Sequence, residues 1–149
     1  MKLRLTNIRW IRVVVSSFLI IVLSFLVITI ITAGYSFVLA FEVHGKPDQA
    51  AFSHFAVTIS RWMMPLLEMF FTFIIALISI KKTGVNISIH GLLIGVIAGL
   101  LGTVMKIGFG GQLNYRSYIF FLITVGLGFV GGFISQRKVL RSGLKNTSA

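Results

Sequence analysis

Apolar residues fill four long runs of this chain, at residues 13–41, 62–80, 83–105 and 117–136, and Glu68 is the one Asp, Glu, Lys or Arg inside any of them. A helix needs about 20 apolar residues to cross about 30 Å of hydrocarbon, and each run is long enough. The pattern predicts an all-α integral membrane protein with four transmembrane helices in an up-down bundle. It forms a single membrane domain over residues 1–149, with spans at about 13–38, 58–80, 88–106 and 117–136 and basic tails at 1–12 and 137–149. The first run exceeds one straight crossing, and tilt or a projecting end absorbs the excess. It also exceeds the ~7–15 residues of a signal h-region. Val38-Leu39-Ala40 is therefore read as part of a retained anchor, not as a cleavage site.

Three connections separate the runs. Residues 42–49 (E-V-H-G-K-P-D-Q) carry turn chemistry through Gly45 and Pro47. Beyond them Phe52, Phe55, Ala56 and Ile59 recur at helical spacing, which predicts an interfacial extension of the second helix. A tight turn is expected at 81–88, with Gly84 and Asn86, and a glycine-rich loop at 108–114. That loop lacks the Lys-Ser/Thr ending of a phosphate loop. Residues 142–149 are expected to form a disordered tail.

Composition agrees with the membrane class: 56% hydrophobic, 11% charged and a mean hydropathy of +0.98, against about 25% charged in soluble domains. The net charge of +11 would suggest nucleic acid in a soluble protein, but its placement points elsewhere. Lys2, Arg4, Arg9 and Arg12 precede the first span, Lys81 and Lys82 follow the second, and Arg137, Lys138, Arg141 and Lys145 follow the fourth. With alternating helices these share one side, leaving Lys46, Arg61, Lys106 and Arg116 on the other. The positive-inside rule then puts both termini in the cytoplasm, N-in/C-in. Trp10 falls at the inner boundary, and Tyr35, Trp62, Tyr115 and Tyr118 fall near the outer one, where amphipathic rings prefer headgroup depth. The expected partners are the bilayer, anionic inner-leaflet lipids, and either a second copy or another membrane protein; nucleic acid is not expected.

Glycine spacing is the clearest local signal. Gly91, Gly95, Gly99 and Gly102 lie at i, i+4, i+8 and i+11, which at ~100° per residue is one helix face. Thr124, Gly128, Gly131 and Ser135 form a second small-residue stripe, with Gly132 beside it. Such glycine-zipper stripes allow close helix approach in lipid. They serve either internal packing of the third helix on the fourth, favoured by the short loop between them, or a homo-oligomer interface.

The second helix carries a polar face. His54, Thr58, Arg61, Pro65, Glu68 and Thr72 repeat at alternating spacings of four and three. An acid near mid-helix costs about 2.5–3.5 kcal/mol on insertion scales, so Glu68 should face the bundle and find a partner. Arg61 is the first candidate, and Lys106 and Arg116 are alternatives. Pro65 cannot donate to the Arg61 carbonyl, which predicts a kink with a free oxygen beside the acid. Glu68 and Arg61 are the candidate ion- or proton-binding residues; the competing reading is structural glue between helices.

Catalysis finds no support. The chain has no HExxH, no GxSxG and no cysteine, and Glu42, Asp48 and Glu68 are its only acids. His90 is expected a membrane thickness away from His44 and His54, so the histidines cannot share a metal. No enzyme, cofactor or metal is expected.

Helix count, length and the run from His90-Gly91 to Gly102 make the chain similar to the large class of small bacterial four-span membrane proteins with glycine-rich third and fourth helices. Small multidrug exporters also have four spans and one membrane glutamate. Theirs lies in the first helix, however, where the run here has no acid. The expected function is an accessory, assembly or envelope-associated subunit of the bacterial inner membrane. The alternative is a small homo-oligomeric transporter or channel unit using Glu68.

Overall fold

Hydrocarbon leaves a spanning backbone no water to bond, so long apolar runs close their hydrogen bonds internally as helices. The computed structural model describes residues 9–42, 48–79, 87–108 and 112–146. Among them lie four helices and no strand: α1 (Trp10–Glu42), α2 (Gln49–Ser79), α3 (Ile87–Gly108) and α4 (Tyr115–Asn146). All four are long and apolar enough to cross a membrane.

Local chemistry sets two of the starts. Asp48 caps α2, its Oδ1 accepting from the Ala50 N–H at 2.9 Å. Asn114 caps α4 by accepting from the Ser117 N–H at 3.2 Å, while Ser117 Oγ accepts in return from the Asn114 N–H at 3.5 Å. The second helix is thus continuous from Gln49, with the expected interfacial segment forming its first turns. Helix α4 runs on to Asn146, so residues 142–146, expected to be disordered, are helical. The turn at 81–86, Gly45, Pro47 and His44, the basic residues Lys2 and Arg4, and residues 147–149 lie outside the described residues.

Side-chain contacts give the helix directions. The Arg9 N–H, at the start of α1, donates to His90 Nε2, at the start of α3, at 3.3 Å. The Tyr35 ring, late in α1, stacks on Phe55, early in α2, with centroids 3.6 Å apart. Gly91 of α3 meets Gly128 and Gly132 of α4, and Gly99 meets Phe121, so these two helices run antiparallel. Successive helices therefore alternate. The starts of α1 and α3 share one end, here termed the basic end, with Arg137 and Lys138 of α4. Helices α1 and α4 each pack on both α2 and α3 but not on one another, while α2 and α3 touch. The α2–α3 contact is thus the short diagonal of the bundle and fills its axis.

The core has an unusual polarity. Val13, Ile20, Ile75, Ile94 and Ala98 form its apolar cluster. Alongside them Ser16, Ser17, Ser24, Thr72, Thr124 and Ser135 are also buried. Large apolar residues such as Phe18, Phe25, Phe70, Leu122 and Phe129 face outward. Hydroxyls inside and hydrocarbon outside is what lipid selects, since lipid tails are as apolar as leucine.

Candidate functional site

The polar face of α2 passes from surface to interior along its length. His54, Thr58 and Arg61 are exposed, Pro65 is half-buried, and Glu68 and Thr72 are buried. Helix α2 continues on both sides of Pro65, so the proline is absorbed within one helix. Glu68 keeps only 9% of its surface exposed, and Thr72, one turn further in, keeps none.

Gly102 makes room for the acid. A Cβ built there would collide with both carboxylate oxygens of Glu68 and stand 2.7 Å from Cδ. The carboxylate thus lies against bare α3 backbone on the α2–α3 diagonal. Thr72 Oγ1 is buried without a hydrogen-bond partner, and so is Ser135 Oγ in α4.

The basic partner expected for Glu68 is absent among the described residues. Arg61 is exposed, with its long stem free to carry the guanidinium outward toward water. Lys106 Nζ donates to Ser117 Oγ at 2.5 Å, which ties the ends of α3 and α4 together. The Arg116 guanidinium lies over the Trp62 ring, 5.2 Å from its centroid. Lys106 and Arg116 thus have local partners away from the acid, and among the described residues the anticipated ion pair gives way to a carboxylate seated on a glycine.

The glycine stripes divide their work. Gly91 and Gly95 face Gly128, Gly132, Thr124 and Val125 of α4, backbone against backbone. A Cβ on Gly95 would stand 2.9 Å from the Thr124 carbonyl oxygen. Gly99 meets the Phe121 ring, Gly102 seats Glu68, and Gly131 meets Ala76 and the Phe73 carbonyl of α2. The stripes thus pack within one chain, on two neighbours rather than one.

Two further buried polar residues join helices, and of these Ser17 carried no signal in the sequence. Ser17 Oγ bonds to the Val13 carbonyl at 2.9 Å and the Ile94 carbonyl at 3.2 Å, joining α1 to α3. His90, only 3% exposed, receives the Arg9 N–H, one of the orphan donors at a helix start. Among the described residues no three His, Asp or Glu side chains converge as a metal site. Compared with known proteins, the chain matches no protein-family model, no curated protein and no solved structure.

Proposed function

We propose that this chain is a non-enzymatic accessory or assembly subunit of the bacterial inner membrane, with both termini cytoplasmic and its basic end against the anionic inner leaflet. The observation that carries this reading is the seat of Glu68. The one acid within the spans packs on α3 backbone across the bundle axis, where α2 and α3 touch, so it is taken up in a contact between helices. Arg9, Arg12, Arg137 and Lys138 gathered at one end support the orientation through the positive-inside rule.

A second reading has its own observation. Glu68 and Thr72 share one α2 face without a cation beside them, and paired oxygens of this kind suit a proton or a monovalent cation in a small homo-oligomeric transporter. One substitution separates the two. Under the subunit reading, Glu68→Gln lowers membrane yield or releases a co-purifying membrane protein, and vesicles containing the wild-type protein carry no more proton, sodium or potassium flux than empty ones. A wild-type flux that Glu68→Gln abolishes, with yield and oligomeric state unchanged, would instead establish transport.

A further inference from the structure

The start of α1 forms an open cleft of about 570 Å³ lined by Arg9, Trp10, Ile11, Arg12 and Val15. Its two kinds of lining follow the helix. Arg9 and Arg12 are three apart, so their guanidiniums rise from neighbouring positions of one turn. Ile11 and Val15 are four apart and lead from that turn toward the middle of the span. Both face outward, at 83% and 59% exposure. Trp10, also exposed, lines the same cleft, at the depth where indoles favour the headgroup boundary.

We infer that this cleft binds one anionic phospholipid, with Arg9 and Arg12 holding the phosphate and the acyl chain lying along Ile11 and Val15. Charge complementarity selects the head: guanidiniums match phosphate oxygens with forked, charge-assisted hydrogen bonds. The apolar track selects a lipid over a free phosphate ion, which has no use for Ile11 and Val15. The position of Arg9 is fixed from behind, because its backbone N–H is held by His90 of α3. His90 is thus a positioning residue that ties the cleft to the bundle. This inference rests on the reading that the basic end faces an anionic leaflet, but its test involves neither Glu68 nor any protein partner.

The site has its own reporter. In the full chain carrying Trp62→Phe, Trp10 is the remaining tryptophan. Reconstituted in phosphatidylcholine vesicles with increasing brominated phosphatidylglycerol, its fluorescence reports which lipid lies beside α1. Lipid in both leaflets carries bromine, so insertion direction does not matter. Quenching should saturate at a low mole fraction of the anionic lipid, well ahead of brominated phosphatidylcholine. A basic residue near an anionic surface contributes a factor of about five in affinity. Arg9→Gln with Arg12→Gln should therefore weaken the preference by roughly 25-fold. Arg137→Gln with Lys138→Gln, the same charge change on α4, should leave it nearly intact. His90→Ala should reduce it while both arginines remain. Equal quenching by the two lipids in the wild type would overturn the inference. So would equal losses in the two charge-pair variants, which would mean a diffuse surface potential. Millimolar inorganic phosphate should not compete; full competition would reassign the arginines to a soluble anion.

Discussion

Gly91→Ala adds one methyl group where α3 and α4 come closest, and it tests whether bare backbone contact holds this bundle together. The added Cβ would stand 2.9 Å from Gly132 Cα and 3.0 Å from its nitrogen, and closer still to the Gly128 carbonyl oxygen. Carbon atoms in contact prefer about 3.5–4.0 Å, so the helices must part by roughly 0.5–1 Å. No flexible side chain can yield instead. Overpacking of this kind costs about 1–3 kcal/mol, against about 1 kcal/mol regained from the better helix propensity of alanine. The net loss is therefore about 0–2 kcal/mol. Gly126 supplies the control, since nothing lies within 4 Å of a Cβ placed there. Gly126→Ala keeps the propensity gain alone and should be neutral or more stable by up to about 1 kcal/mol. Both variants gain the same propensity and differ by the overpacking alone, so at about 2–4 °C per kcal/mol for a chain of this size they should differ by roughly 2–12 °C in Tm in mild detergent. Equal melting temperatures would refute a close-packed α3–α4 contact.

Thr72→Val removes a buried hydroxyl that has no partner and keeps the side-chain shape, so it should stabilise the protein by about 1 kcal/mol in detergent unfolding. A loss instead would mean that Thr72 Oγ1 binds something in the membrane. Ser17→Ala breaks the bridge to the Ile94 carbonyl and should cost about 0.5–1.5 kcal/mol. Thr29→Ala, where the lost bond is to Phe25 within the same helix, should stay within about 0.5 kcal/mol. Asp48→Ala removes the α2 cap and should cost about 1 kcal/mol, with earlier amide exchange in the first turn of α2 as its local signature.

The four helices are legible in the sequence because a run of twenty apolar residues has only one way to satisfy its backbone in hydrocarbon. The true start of α2 was harder to see. Its first turns mix Phe52 and Phe55 with Ser53 and His54, and what makes them helix is the Asp48 cap together with the Tyr35–Phe55 stack against α1. The burial of Glu68 follows from the insertion cost of a lipid-facing acid, but its seat on Gly102 does not. The glycines from Gly91 to Gly102 share a face of α3, and nothing in their spacing shows that this face passes from α4 to α2 along its length. The inward face of α1 was the least legible. With hydrocarbon outside and an apolar core inside, hydropathy does not distinguish the two. The buried serines Ser16, Ser17 and Ser24 mark the side that meets the bundle.

This inversion bears on how the protein could be recognised. Glu68, Thr72, Ser17, Ser24, His90, Thr124 and Ser135 are all turned inward. Where a hydroxyl does face out at mid-span, as at Thr29, it folds back on its own helix and offers nothing to a neighbour. The described mid-span surface is therefore dominated by side chains such as Phe18, Leu26, Ile30, Leu122 and Val130. Against these a lipid tail competes on equal terms with any protein. A partner that binds this chain in preference to lipid must gain its selectivity at the two ends, where charge and aromatic rings survive: Arg9, Arg12, Arg137 and Lys138 at one, and Arg61, Trp62 and Arg116 at the other. On the subunit reading, charge reversals confined to those ends should release a co-purifying protein. Phe18→Leu and Ile30→Val at mid-span should not, and release by the mid-span pair alone would mean that shape complementarity within the bilayer decides the partner.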